Sequence, residues 1–393
     1  MPTFHLETRQ QHDTCRRSHG EKGTFEGGLA ESQAASGDCV RPTVVSHVWW
    51  WVGLPVALVV VGVIGAFSKS SVPVFQWKEH AGVFQYHPQF EFRERLEGTG
   101  ETRFSPLGFS GRVDDPQPDL AKIVIWGDSL VEALQVDDAS KMQNLLTRRA
   151  KSSGNDSPFQ EAVGLGFGAT HGLDWLILMQ RFSPRLGNVQ AHVVLLHDIS
   201  DLDSNSETLF YLSPEQWRQS QTQRDWPWRS RLANVEAGGL YYLMVQANSG
   251  QFGNALRFRP GPVAPSAVDG ERAFPPADWA HRRWLLSQMT KSLSAPLILV
   301  WVPESPRLVH GKIEFEDRRF PGQLERLRRM CDELEIRFVD MQPVFDEHCR
   351  THRELPRGFP NTFPGEGHLN EVGHRLVADR IWKTCQEIAD VVH

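Results

Sequence analysis

A serine and a histidine, whose side chains together can break an ester bond, stand far apart in this chain. Ser129 follows the short apolar run 122–126 and a single glycine, Gly127, and a helical pattern begins directly after it. A strand, a tight turn and a helix would lift the serine oxygen clear of a sheet, at a helix N-terminus that favours developing negative charge. This pattern predicts a nucleophile, although a serine N-cap on an ordinary helix would have the same sequence.

A glycine-rich loop near the C-terminus carries the complementary groups. His368 lies in the run Pro-Gly-Glu-Gly-His-Leu-Asn, residues 364–370, and Glu366 stands two positions before it. A serine nucleophile needs a base within hydrogen-bond reach, and the base needs an acid to orient it. We therefore predict a catalytic set of Ser129 as nucleophile, His368 as base and Glu366 as acid.

The two motifs together resemble those of the SGNH/GDSL hydrolase superfamily, with Gly-Asp-Ser at residues 127–129 and an acid-x-His-Leu-Asn loop at the end of the domain. The segment Pro-Leu-Gly-Phe-Ser-Gly at residues 106–111 resembles the one that precedes the first strand in exopolysaccharide-associated members, which suggests a membrane-anchored member of this kind. Many members hold the acid three residues before the histidine, where this chain has Gly365. Others, including alginate-type O-acetyltransferases, hold it two residues before, as Glu366 does. The resemblance implies a serine esterase or O-acyltransferase without a cofactor.

The same resemblance implies three donors for the oxyanion that forms when an ester is attacked. The Ser129 amide is the first, and the glycine-rich turn after the second strand supplies another, from Gly168 or from Ala169. The third donor of the family is an asparagine within Gly-x-Asn-Asp, and this chain has Ser200 at that position. The expected oxyanion hole is therefore Ser129, Gly168 and Ser200, with a hydroxyl of shorter reach than an amide.

Apolar runs alternate with amphipathic patterns in the C-terminal part of the chain. Strands are predicted at residues 122–126, 161–165, 192–196, 297–302 and 336–339, and helices at 140–150, 172–181, 278–292 and 322–335. Such alternation predicts a parallel sheet with helices on both faces. The expected fold is an α/β, three-layer α/β/α flavodoxin-like sheet of about five parallel strands, which is the SGNH hydrolase fold.

An uncharged apolar run at residues 48–67 predicts one N-terminal transmembrane helix, since about 20 such residues span a bilayer. Three consecutive tryptophans near its start suit a membrane interface. Residues 1–47 are polar without apolar periodicity, which predicts a disordered tail. Positive charges on the two sides of the run barely differ, so we place the large domain outside the cytoplasm from the family resemblance.

The remaining domain boundaries follow from composition. Residues 68–119 form a lead-in segment rich in proline and glycine, which we expect to cover a sheet edge, and residues 120–393 form the catalytic domain. An insertion at about 203–276 interrupts the alternation and is rich in aromatic residues. These aromatics would build a small satellite core or a platform for a sugar or an acyl chain.

Several classes of function are disfavoured by the sequence. The net charge is −6 and no basic block occurs, so nucleic acid is not an expected partner. The five cysteines are scattered without Cys-x-x-Cys spacing, which disfavours a disulfide scaffold and a structural zinc site. The acidic run Asp198, Asp201 and Asp203 has no further ligand at fixed spacing, so no metal is expected.

Three further histidines have less specific interpretations. His374 is predicted to be structural, while His171 and His197 follow predicted strands and could border the pocket. The leading functional hypothesis is a membrane-tethered esterase or O-acyltransferase that acts on a surface polysaccharide or lipid ester. The alternative is a catalytically degenerate domain of the same fold that binds polysaccharide or serves as a scaffold.

Overall fold

The computed structural model describes residues 51–53, 55–57, 60, 75–78, 83–86, 91–94, 97–111, 116–203, 278–309, 311–316 and 322–392. The predicted tail 1–47, most of the apolar run 48–67 and nearly all of the insertion 203–276 lie outside these residues. Among the helices that are described, none has the length and apolar character needed to cross a membrane. Contacts divide the chain after Gly53, and the sheet and its helices belong to the unit that follows it.

Two antiparallel hairpins precede the central sheet. They pair β1 (Phe75–Lys78) with β2 (Val83–Tyr86), and β3 (Glu91–Arg93) with β4 (Glu101–Arg103). The Tyr86 ring stacks on Phe104 with centroids 3.9 Å apart and also contacts Phe167, which directly follows the second strand of the sheet. The lead-in segment thus packs against one end of the sheet, close to the predicted site.

Five parallel strands form the central sheet, as predicted. They are β5 (Lys122–Gly127), β6 (Glu161–Gly166), β7 (Val189–Leu196), β8 (Leu297–Trp301) and, after the small hairpin β9 (Arg307–Val309) and β10 (Lys312–Glu314), β11 (Arg337–Asp340). Their order in the sheet is β11-β8-β7-β5-β6, and all neighbours are parallel. The largest difference from prediction is at β7, which begins at Val189 rather than His192.

The helices are α1 (Ser129–Glu132), α2 (Met142–Ser153), α3 (Gly172–Phe182), α4 (Trp279–Ser292), α5 (Gln323–Glu333), α6 (Gln342–His352) and α7 (Glu371–Val392). Sequence patterns predicted α1 to α5, and no pattern predicted α6. Helices α3, α4 and α5 contribute to the apolar core on one face of the sheet, and α2, α6 and α7 to the core on the other face. The three-layer arrangement is therefore as expected.

Strand β5 shows why the sheet is buried on both faces. Val124 and Trp126 belong to one apolar core, while Ile123 and Ile125 belong to the other, because successive side chains of a strand point to opposite faces. All four are fully buried, and each such burial contributes about 1.5–3 kcal/mol of stability. The strand that leads to Ser129 is consequently rigid.

The strand order places a topological switch beside β5. Its neighbours are β6 and β7, so the chain runs outward from β5 in both directions. Ligands of open parallel sheets bind outside the carboxyl ends of the strands at such a point. Ser129 follows β5, and the turn Ile199–Leu202 follows β7 at the same edge. The sheet therefore brings the predicted site residues to its functional edge.

The flanks of the insertion are tied together. Arg282 of α4 lies over the Trp279 ring, with its guanidinium carbon 4.6 Å from the ring centroid. It also donates from Nε and from Nη2 to the two carboxylate oxygens of Asp203, at 2.7 Å for Nη2. Asp203 and Arg282, which lie on the two sides of the predicted insertion, are therefore in direct contact.

Candidate active site

Ser129 is presented by a tight turn at the end of β5. A Cβ atom at Gly127 would lie 2.6 Å from Cγ2 of Val131, so only glycine fits at the turn. The Asp128 carboxylate then caps α1 by accepting the Leu130 N–H at 2.9 Å. Ser129 is the first residue of the helix, where backbone N–H groups lack intrahelical partners and favour negative charge.

His368 meets this serine directly. Its Nε2 lies 2.9 Å from Ser129 Oγ, although the two residues are 239 positions apart. This distance is that of a hydrogen bond, and it is the geometry that proton transfer between a serine and its base requires. The structure therefore brings together the predicted nucleophile and the predicted base.

A buried arginine holds the loop that carries His368. Arg357 is only 2% exposed. Its guanidinium donates to the carbonyl of Gly367 at 2.7 Å and to that of Pro303 at 2.8 Å. Asn370, on the other side of the histidine, donates from its side chain to the Leu355 carbonyl at 2.7 Å. Because both flanks are anchored, the imidazole is held in place before any substrate binds.

The carboxylate that orients His368 belongs to Glu97, in the connection between β3 and β4. Glu97 Oε2 lies 2.6 Å from His368 Nδ1, and Oε1 accepts the His368 backbone N–H at 2.7 Å. With Nδ1–H donated to Glu97, Nε2 is the free base that faces the Ser129 hydroxyl. The order of groups is that of a Ser-His-acid triad.

The predicted acid, Glu366, does not hold this position. The carboxylate that contacts His368 Nδ1 belongs to Glu97. Glu97 therefore replaces Glu366 as the acid that orients the histidine. The position three residues before the histidine is unsuitable for any acid in this chain. Gly365 has a φ of 82°, and a Cβ there would lie 2.8 Å from the Arg307 backbone of β9.

Glycines make room for Glu97 in the loop. Gly367 has a φ of 78°, and a Cβ at that position would lie 2.3 Å from Glu97 Oε1. Gly98, next to the carboxylate, exchanges two hydrogen bonds with the Asn361 side chain, at 2.9 and 3.0 Å. The lead-in segment and the histidine loop therefore fit each other closely at the contact.

The electrostatics suit an ionised acid. Although burial of the carboxyl opposes ionisation, the hydrogen bonds and charge of His368 lower the pKa of Glu97 below its ordinary value. The nearby Arg357 guanidinium acts in the same direction. Glu97 is thus a carboxylate at neutral pH, as the orienting member of a triad must be.

The predicted oxyanion donors are placed less favourably. The Ser200 hydroxyl donates to Asp198 Oδ1 at 2.6 Å, which occupies its single hydrogen. The Gly168 amide donates to the Glu132 carboxylate. Of the three predicted donors, the Ser129 amide at the start of α1 is the one whose placement suits an oxyanion without rearrangement.

Glu132 is a buried acid beside the nucleophile. It lies one helical turn after Ser129, is 4% exposed and accepts a hydrogen bond from the Tyr86 hydroxyl of the lead-in segment. Burial raises the pKa of Glu132 to about 7, although the hydrogen bonds from Tyr86 and the Gly168 amide oppose the shift. A carboxyl of this kind exchanges its proton near neutral pH.

A second polar cluster surrounds His197, just after β7. The His197 Nδ1 atom lies 3.2 Å from Asp128 Oδ2 and 3.9 Å from Asp201 Oδ2. His171 Nδ1 lies 3.0 Å from the other oxygen of Asp201. Although burial disfavours its charged form, the bond to Asp128 raises the pKa of His197, whereas burial raises that of Asp201. His197 therefore borders the nucleophile's turn, and His171 joins the same cluster through Asp201.

His374 is placed differently. It is 1% exposed, and its burial, together with nearby positive charges, lowers the pKa of His374 to about 3. An uncharged imidazole inside α7 agrees with the structural interpretation of this residue.

Glu97, Glu132 and Tyr86 could not be singled out from the sequence. Glu97 stands in a mixed segment between two short strands, where its only local signal is the following Gly-Thr-Gly. Tyr86 and Glu132 are 46 positions apart and carry no motif that links them.

Comparison with known proteins concerns the fold. No family model matches the chain, and no curated protein matches it. The solved structures that are similar to this chain share 10–14% identity with it. They include a member of the lipolytic G-D-S-L family from Veillonella parvula, with 10% identity, a TM-score of 0.34, and coverage of 67% of this chain and 97% of that one.

Two further structures have named activities. An acetyl xylan esterase shares 14% identity, with a TM-score of 0.36 and coverage of 67% of this chain and 98% of that one. The catalytic domain of peptidoglycan O-acetyltransferase A from Streptococcus pneumoniae shares 13% identity, with a TM-score of 0.30 and coverage of 69% and 97%.

Proposed function

We propose that this chain is a serine esterase or O-acyltransferase that acts through Ser129, His368 and Glu97. The observation that carries the proposal is the continuous hydrogen-bonded path from Ser129 Oγ through both nitrogens of His368 to the Glu97 carboxylate, with distances of 2.9 and 2.6 Å. A serine whose hydroxyl meets a base, itself oriented by an acid, is an activated nucleophile.

The reaction follows from these contacts. Ser129 Oγ attacks the ester carbonyl carbon while His368 Nε2 accepts the hydroxyl proton, and Glu97 stabilises the imidazolium without taking its proton. The tetrahedral intermediate then collapses, and the leaving alcohol takes the proton from Nε2. Water or a sugar hydroxyl next attacks the acyl-enzyme carbonyl and gives its proton to Nε2. Ser129 Oγ takes that proton from Nε2 as it leaves the second tetrahedral intermediate. Hydrolase and transferase differ only in this acceptor.

The developing oxyanion needs donors that are ready when the charge appears. The Ser129 amide lies at the start of α1, where backbone N–H groups lack intrahelical acceptors. The Gly168 amide could contribute only when it is released from the Glu132 carboxylate. Protonation of Glu132 would weaken that bond and would also remove a negative charge near the oxyanion.

A second candidate function is a catalytically degenerate domain that binds polysaccharide or acts as a scaffold. The engaged Gly168 amide and Ser200 hydroxyl favour it, because each is a predicted oxyanion donor that already has an acceptor within the protein. The complete path through His368 favours the enzyme, since a binding domain gains nothing from a serine bonded to an oriented base.

We also propose a location and a substrate class. The uncharged run 48–67 would anchor the chain in a bilayer, with the domain that carries Ser129 outside the cytoplasm. An acylated surface saccharide or a lipid ester would be within reach of such a domain. Protease added to intact spheroplasts should then digest the domain, whereas digestion only after lysis would reverse the proposed orientation.

The activity is tested most directly with a chromogenic acetate ester. We expect a burst of chromophore equal to the enzyme concentration, followed by slower turnover, because acylation releases the alcohol before deacylation. Ser129→Ala and His368→Ala should remove the burst and nearly all turnover without lowering the melting temperature. Turnover of either variant at the wild-type rate would overturn the assignment and leave the binding domain as the better reading.

A further inference from the structure

Three ligand-type atoms converge beside the nucleophile's turn without taking part in the path from Ser129 to Glu97. They belong to Asp128, His197 and Asp201, and one ligand atom of each residue lies within 4.8 Å of those of the other two. The Oδ2 atoms of Asp128 and Asp201 are 3.2 and 3.9 Å from His197 Nδ1. The side chains come from the end of β5 and from the turn after β7, so the rigid sheet brings them together.

Each carboxylate is held by its other oxygen. Asp128 Oδ1 accepts the Leu130 N–H at 2.9 Å, and Asp201 Oδ1 is bonded to His171 Nδ1 at 3.0 Å. Metal-binding carboxylates are typically fixed by such outer contacts. The arrangement leaves one oxygen of each aspartate directed at the same small volume next to His197.

Asp201 supplies an independent sign of a ligand. The residue is 7% exposed, and its Oδ2 atom is buried without a hydrogen-bond partner in the part of the chain that the structure describes. A buried carboxylate oxygen that remains unpaired is costly, and each such case in a folded protein calls for an explanation. A cation between the three atoms would provide the missing partner.

We propose that Asp128, His197 and Asp201 form a binding site for a divalent cation of the Zn²⁺ type. One imidazole nitrogen and two carboxylate oxygens match the ligand preference of zinc, with bonds of about 2.0–2.2 Å. Such bonds place tetrahedral ligand atoms about 3.3 Å apart. The distances of 3.2 and 3.9 Å from His197 Nδ1 need only small side-chain movements to reach that value.

The number of protein ligands suits the same ion. Three protein ligands also leave the fourth position of a tetrahedral ion open to water or another small ligand. The site would adjoin Ser129 through Asp128, but its existence does not depend on the reaction proposed above.

The test is an isothermal calorimetric titration with Zn²⁺. It uses the purified full-length chain from which bound metal has been removed with a chelator. We expect one ion per chain, and at least tenfold weaker binding in His197→Gln and in Asp201→Asn. Asp198→Asn is the matched control, because this neighbouring carboxylate bonds Ser200 and lies outside the cluster. The absence of stoichiometric binding, or equal affinity in all variants, would overturn the site.

X-ray absorption at the zinc edge examines the wild-type chain, so it remains informative if a variant misfolds. Nitrogen and oxygen neighbours at about 2.0–2.2 Å are expected, whereas sulfur at about 2.3 Å would show cysteine ligands and refute the site. Ser129→Ala should bind the ion as the wild type does. Loss of esterase activity with retained Zn²⁺ binding therefore separates the two proposals.

Discussion

Replacing Glu97 by glutamine tests the acid of the proposed triad with little change of shape. The carboxylate accepts two hydrogen bonds from His368, one from its backbone N–H at 2.7 Å and one involving Nδ1 at 2.6 Å. A glutamine side chain has one acceptor oxygen and one NH₂ group, so it cannot accept at both atoms.

The consequence concerns the tautomer of His368. If the glutamine oxygen accepts the backbone N–H, its NH₂ group faces Nδ1 and favours the tautomer in which Nδ1 is the acceptor. Nε2 then carries the proton and cannot remove that of Ser129. The equivalent replacement in a Ser-His-Asp triad lowers turnover by about 10⁴-fold, and about 5 kcal/mol of transition-state stabilisation corresponds to that factor. We expect a loss of this order in Glu97→Gln.

The measurement is steady-state turnover of an acetyl ester, with Glu366→Gln as the matched control. Both variants remove one carboxylate charge near His368. Because the carboxylate that lies against His368 Nδ1 is that of Glu97, Glu366→Gln should change turnover by less than about threefold. Melting temperatures measured in parallel would reveal any loss of folding. A large loss in Glu366→Gln, together with normal turnover in Glu97→Gln, would refute the assignment and restore the acid predicted from the sequence.

Three other predictions address the surroundings of the site. Glu132 binds its proton more tightly in the folded than in the unfolded chain, because its pKa rises from 4.5 to about 7. Stability should therefore fall as pH rises through this interval, by about 3 kcal/mol. Chemical unfolding of Glu132→Gln across the same interval should lack that decline, and identical pH dependence would contradict the shift. Ser200→Ala should lower turnover by less than tenfold, since the hydroxyl donates to Asp198, whereas a loss of about 10²–10³ would show that it serves the oxyanion. Gly367→Ala should lower both turnover and melting temperature. The added Cβ would lie 2.3 Å from Glu97 Oε1, and the backbone at this position has the left-handed conformation that disfavours alanine. Unchanged kinetics and melting in that variant would mean that the loop relaxes freely.

The sequence by itself determined the central sheet and the two side chains, Ser129 and His368, that meet at its edge. Helices cover both faces of strand β5, so its side chains are buried on both faces. The sequence shows this as a continuous apolar run. Ser129 is recognisable because its turn is local: strand, glycine and helix follow one another within a few residues. Helix α6 escaped prediction, although Pro343 in its first turn is a common start signal.

Only the tertiary structure decided which acid orients His368. The chain has 48 acidic residues, and Glu366 was the natural choice because it is near in sequence. Glu97 is 271 positions away and reaches Nδ1 because the lead-in hairpins pack against the end of the sheet. The cluster at His197 and the engaged Ser200 hydroxyl likewise depend on side-chain direction. Hydrogen bonds and ion pairs form only between groups that lie a few ångströms apart in space. Tertiary packing decides which groups come that close, and a local sequence pattern does not contain this information.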